Sequence, residues 1–225
     1  MTTKLSKILA GMPGLSTKEN LRNTGALGNL VTRNQIDLEA WSKWFGFQTF
    51  GEPKLIEMLT GAANFVLDVK EGRPCPWLVL LGTSGAGKTH LAKRIWQWWE
   101  RSGKFYKEPN TGANCVHNGQ FCLFANFINE CRQGDFSRVG DLLDDRLVIL
   151  DDIAAGADAR GWITDKLYHI IERRLVSTGP QATIITANLS IEKLAEMYDQ
   201  RIASRLIRQG TDKVIEVDVT DFALR

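Results

Sequence analysis

Gly82-Thr83-Ser84-Gly85-Ala86-Gly87-Lys88-Thr89 decides more about this chain than any other stretch of it. These residues match the phosphate-binding pattern G-x-x-x-x-G-K-[ST] in full. Three glycines without a Cβ let the backbone bend tightly and turn its N–H groups inward on an anion. A helix starting at about Lys88 adds the positive end of its dipole. Such a loop needs a buried strand before it and a helix after it, and both flanks comply. Pro76-Trp77-Leu78-Val79-Leu80-Leu81 is an apolar run suited to a parallel strand. His90-Leu91-Ala92-Lys93-Arg94-Ile95-Trp96 continues with helical amphipathicity. The motif therefore predicts a nucleoside triphosphate with Mg2+. Gly82, Thr83, Ser84, Gly85, Ala86, Gly87, Lys88, Thr89 and His90 line it, Lys88 supplies a point charge for the β- and γ-phosphates, and the Thr89 hydroxyl is the expected metal ligand.

Around this loop the pattern alternates between strand and helix. Helices are predicted at 54–70, 88–101, 126–132, 136–143, 162–176, 191–198 and 200–207. Strands are predicted at 77–81, 121–125, 146–150, 182–186 and 213–217, with a polar surface loop over 102–120. Alternating strands and helices give an α/β fold with a parallel sheet covered on both faces. The 225 residues fit one large domain with a short appendage. Residues 1–45 read as an N-terminal arm, a partner-binding or partly disordered segment, ahead of a main domain at 46–225. Met12-Pro13-Gly14, Asn23-Thr24-Gly25 and Gly28-Asn29 interrupt periodicity there, leaving room for short helices near 3–10 and 38–45. Trp41, Trp44, Phe45, Phe47 and Phe50 either seal this arm onto the main domain or flank a nucleotide base.

A net charge of +2 neither demands nor excludes nucleic acid. No apolar run approaches a membrane span and no signal-peptide core is present, which predicts a cytoplasmic protein with no membrane partner. Cys75, Cys115, Cys122 and Cys131 suit that compartment as free thiols. Cys115, His117 and Cys122 could form a zinc set, but they lack a close C-x-x-C pair. Trp96, Trp98 and Trp99 read as helix-packing residues, with Lys93, Arg94, Arg101, Lys104 and Lys107 as a solvated basic run.

Two further strands end in polar residues. Leu147-Val148-Ile149-Leu150 runs into Asp151-Asp152, which delivers two carboxylates to the ligand-binding edge of a parallel sheet. Asp151, 63 residues after Lys88 (151 − 88), is the expected Mg2+ partner through water. Asp152 would polarise the attacking water. Thr183-Ile184-Ile185-Thr186-Ala187 presents Asn188, a candidate for holding that water or a phosphate oxygen. Arg201, Arg205 and Arg208 share one face of the predicted helix at 200–207.

This order of phosphate loop, Asp-Asp strand, Asn188 and late arginines resembles the AAA+ ATPases. More narrowly, from about Trp44 onward it resembles the DnaC-type helicase loaders and the IstB transposition ATPases. The resemblance implies ATP and Mg2+ as cofactors, with Lys88, Asp152, Asn188 and Arg205 catalytic and Thr89 and Asp151 on the metal. Within Asp199-Gln200-Arg201-Ile202-Ala203-Ser204-Arg205-Leu206, it makes Arg205 the finger that reaches a neighbouring subunit's nucleotide, with Arg201 beside it. It implies a weak, switch-like ATPase that forms a homo-oligomer with ATP and binds single-stranded DNA. Its arm would grip a replicative hexameric DNA helicase. An IstB-like regulator acting with a transposase on double-stranded DNA is the alternative, and a small-molecule P-loop kinase is the third. Two departures stand out. Asp152 replaces the glutamate most AAA+ proteins carry, though the initiator DnaA has a similar pair. Only eight residues follow Val217 (225 − 217), which leaves no room for a C-terminal helical lid.

Overall fold

The computed structural model describes residues 36–73, 75–101, 105–107, 114–116, 118–155, 161–177, 181–208, 214–219 and 221. The expected helix at 3–10 and most of the arm lie outside them. In chain order the elements are α1 (Leu38–Phe45), α2 (Pro53–Glu71), β1 (Trp77–Gly82), α3 (Lys88–Arg101), β2 (Phe105–Lys107), β3 (Asn114–Val116), β4 (Gly119–Leu123), α4 (Phe124–Arg132), α5 (Ser137–Asp144), β5 (Leu147–Asp151), α6 (Trp162–Leu175), β6 (Ala182–Thr186), α7 (Ile191–Met197), α8 (Gln200–Ile207) and β7 (Val214–Val217).

Five strands form one parallel sheet in the order β4-β5-β6-β1-β7. Side chains alternate across a strand, and the core divides accordingly. Leu78, Leu80, Leu147, Ile149, Ala182 and Ile184 face one apolar cluster with α1, α2 and α3. Trp77, Val79, Leu81, Val148, Leu150 and Ile185 face the other, beneath α4 to α8. Strands β1, β5 and β6 therefore bury both faces, which is why they read as continuous apolar runs. Each such Leu or Ile contributes about 1.5–3 kcal/mol through burial.

Local signals set the helix ends. Asp37 caps α1 by accepting from Ala40 N–H at 3.1 Å, and Gly46 closes it in the left-handed region. Pro53 opens α2, whose fixed φ suits the first helical position. Trp41 and Phe45 on α1 are buried against the main core, whereas Phe50 is exposed. No described helix is long and apolar enough to cross a membrane. Cys122 and Cys131 are free thiols, Cys75 Sγ donates to Ser177 O at 2.6 Å, and His117 of the zinc alternative is not among the described residues.

Residues 102–120 are not only loop. β2 and β3 pair antiparallel within them, and β4 begins at Gly119 and ends at Leu123, two residues earlier than its composition predicts. Phe124 and Ala125 instead open α4. The cause is tertiary. Gly119 pairs with Leu147 of β5, and a Cβ there would lie 2.8 Å from Trp99 Nε1 and 2.9 Å from Trp96. A glycine that reads as a loop residue is the strand position on which two tryptophans pack. Trp99 is buried, as helix packing predicts.

Candidate functional site

The phosphate-loop motif lies between β1 and α3, at the carboxyl edge of the sheet. It is fastened from both neighbouring strands. Gly82 N–H donates to Leu189 O beyond β6, and Thr83 N–H donates to Val217 O at the end of β7, both at 3.0 Å. The Thr83 hydroxyl donates to Val219 O at 2.8 Å and accepts from Val219 N–H at 3.2 Å. Gly87 has a φ of 90°, and a Cβ there would meet the Phe47 ring at 2.5 Å. Only glycine allows both that backbone and that ring.

Lys88, 4% exposed, folds back onto this loop. Its Nζ donates to Gly82 O at 3.0 Å and Thr83 O at 2.5 Å. Burial pushes its pKa down to about 8, while Asp152 and then Asp151 pull it back up. It remains mostly protonated at neutral pH, a buried cation held by neutral carbonyls.

Across the edge, β5 and β6 bring the acids to α3. The Thr89 hydroxyl donates to Asp151 Oδ1 at 2.8 Å, and the Thr186 hydroxyl donates to the same oxygen at 2.7 Å. Asn188 Nδ2 donates to Asp152 Oδ2 at 3.1 Å. Asp152 has a φ of 53°, a left-handed conformation that residues with a Cβ seldom adopt away from functional sites. Its Oδ1 is buried without a hydrogen-bond partner. A buried acceptor left unmatched beside a buried ammonium is the kind of group that a ligand completes. Two hydroxyls and two carboxylates are hard oxygen donors, which suits Mg2+. Among the described residues, no three His, Cys, Asp or Glu side chains are placed to hold an ion alone. A metal here would take the rest of its shell from phosphate and water.

The structure thus joins Lys88, Thr89, Asp151, Asp152 and Asn188 at one edge. His90 points elsewhere: its Nε2 lies 2.9 Å from Phe45 O and its ring stacks against Phe47. The arginines are not brought to the loop within this chain. Arg205 Nε lies 2.5 Å from Glu172 and its Nη2 donates to the Tyr168 hydroxyl at 3.3 Å. Arg201 pairs with Asp199, its own helix cap, and lies over the Tyr168 ring. Arg208 ends α8 and is exposed. Thr186 is the contact that sequence reading did not single out. Its one signal is a polar residue closing an apolar strand.

A parallel sheet ordered in this way, with the phosphate loop and an acid-tipped strand at its carboxyl edge, defines a P-loop nucleoside triphosphatase fold of the AAA+ kind. Residues 45–221 match the family model described as IstB-like ATP binding protein. The chain belongs to this IstB-like ATP-binding family. It is similar to the crystal structure of the DnaC helicase loader, with a TM-score of 0.50 and 21% identity over 71% of this chain and 88% of that one. It is also similar to AMPPCP-bound DnaA from Aquifex aeolicus, with a TM-score of 0.51 and 17% identity over 71% of this chain and 46% of that one. A replication initiator DnaA bound to AMPPCP and single-stranded DNA matches at a TM-score of 0.51, 18% identity and the same two coverages. These likenesses show a shared fold. The chain spans less than half the length of those DnaA chains. No curated protein matches the sequence.

Proposed function

We propose that this protein is an ATP-dependent loader of a replicative DNA helicase, with ATP binding as the assembly switch and hydrolysis as the release step. The observation that carries the nucleotide chemistry is the buried Lys88 beside the unmatched oxygen of Asp152. Arriving phosphates would take Lys88 from its two loop carbonyls and pair its charge with their own. Thr89 and Asp151 would hold Mg2+, Asp151 through water, and the bound ion would spread the charge of the β- and γ-phosphates. Asp152 would orient water with its free oxygen, and Asn188 would hold the other oxygen in place. A carboxylate one methylene shorter than glutamate reaches less far, which supports slow turnover suited to a switch.

Arg205 would leave Glu172 and Tyr168 and reach the nucleotide of a neighbouring subunit, which ties hydrolysis to assembly. The arm would grip a ring helicase in the cytoplasm, and the oligomer would hold single-stranded DNA. The fold likeness to a DnaC loader supports this reading. The matching family description supports the second reading, a transposition regulator acting with a transposase on double-stranded DNA. Affinity capture with the full chain, with and without a non-hydrolysable ATP analogue, separates the two. Recovery of a hexameric helicase supports loading, recovery of a transposase supports the second reading, and neither with ATP-independent behaviour removes the switch.

A further inference from the structure

Thr186 holds three consecutive residues where β5 parts from β6. The regular β5–β6 pairing ends at Leu150 and Ile185. Beyond it, the Thr186 hydroxyl donates to Asp151 Oδ1 at 2.7 Å. The Thr186 hydroxyl oxygen in turn accepts from Asp152 N–H at 2.8 Å. The Thr186 carbonyl accepts from Ile153 N–H at 3.0 Å. The directions are fixed by chemistry. An ionised carboxylate only accepts and a backbone N–H only donates, so one hydroxyl proton and one lone pair serve both acids. Thr186 is 1% exposed, so no solvent water replaces it without rearrangement.

We infer that Thr186 is a positioning residue that sets both acids at once. Its hydroxyl fixes the Asp151 oxygen that faces Thr89, and it braces the left-handed bend of Asp152, from which the unmatched Oδ1 is presented. The two threonines on Asp151 divide the work. Thr89 sits on the phosphate-loop helix, and its hydroxyl is shared between Asp151 and any incoming Mg2+. Thr186 ends β6, apart from the phosphate-loop helix, and keeps the acid in place throughout. This rests on the ATP-hydrolysing reading above.

The test uses the full chain with Thr186→Val, which removes the hydroxyl, and Thr186→Ser, which keeps it. Hydrogen exchange on the nucleotide-free protein reads the bond itself. Exchange across 151–153 should speed up in Thr186→Val and stay near wild type in Thr186→Ser. A fluorescent ATP analogue bound in EDTA should show all three proteins within about twofold of one another. In Mg2+, Thr186→Val should lose about 10- to 100-fold in affinity gain or in kcat, the size expected for groups that orient metal ligands, with KM moving less. Thr186→Ser should recover most of this. The inference is overturned if Thr186→Val matches wild type in exchange and kcat, or if Thr186→Ser fails as badly as Thr186→Val, which would make the methyl group the cause. Wild type that binds no ATP would sink the functional reading alone, and the exchange arm would still decide whether the hydroxyl holds Asp152.

Discussion

Arg174 and Lys88 are both cations buried at the edges of one sheet, and they are held in opposite ways. Arg174, on α6, sits at the amino edge and is fully buried. It donates to the carbonyls of Leu142, Leu143, Asp145 and Ala182 and to the Thr183 hydroxyl, at 2.7–3.4 Å. Burial pushes its pKa down to about 10, with Asp145 pulling it back, so it stays charged. A rigid guanidinium fork fits this set of fixed acceptors on α5, its cap and β6. Lys88, at the carboxyl edge, has two carbonyls of its own loop and a flexible stem. The first cation is part of the frame. The second has partners it can exchange for phosphate.

The comparison breaks most sharply at Arg174. Truncating it to Ala leaves several buried carbonyls without donors. It should lower unfolding stability by about 3–5 kcal/mol in urea melts, and Arg174→Lys should recover little of that. A loss below about 1 kcal/mol would make the fork dispensable. Lys88→Ala should behave in the reverse way. Removing a buried charge should leave the melting temperature equal or higher, while ATP affinity drops about 100-fold, or about 2.7 kcal/mol.

The pKa of Lys88 gives a finer test, and its sign follows from the direction of the shift. The nucleotide-free pKa of about 8 lies below the ordinary 10.5, so between these values the unfolded chain binds more protons and stability rises with pH. Wild type should therefore gain stability relative to Lys88→Met from about pH 8 to 10.5. Over the same range ATP binding must draw a proton onto Lys88, so affinity should weaken by up to about tenfold per pH unit above 8 and be flat below it. A flat profile through pH 9.5 would place the lysine elsewhere. The smallest effect belongs to Asp152→Gly. Glycine accepts the left-handed backbone and removes the unmatched oxygen, which should raise stability by about 1 kcal/mol in the same melts while hydrolysis slows.

Features written in contiguous residues were legible in the sequence. The strand, glycine loop and helix around Lys88 lie within one stretch, and the apolar runs ending at Asp151 and Asn188 predict their arrival at one edge. Features that depend on distant partners were not. Gly119 belongs to a strand because Trp96, Trp99 and β5 meet it. Arg174 follows Arg173 near a helix end and nothing in the sequence separates the two, yet Arg173 is exposed and Arg174 buried. The shared face of Arg201 and Arg205 was readable, but their gathering around Tyr168 was not, because Tyr168 lies on another helix. Thr186 reads as the last residue of a strand, and only the bend of Asp152 reveals what its hydroxyl does.

The central claim is that Lys88 is a receiver of phosphate and no part of the frame. Calorimetric titration of Mg-ATP into folded wild type and Lys88→Ala at pH 7 tests it directly. The account predicts saturable binding by wild type at one ATP per chain and binding about 100-fold weaker by a variant that melts no earlier. Equal affinity in the two proteins, or a variant that unfolds before it loses ATP, would contradict it.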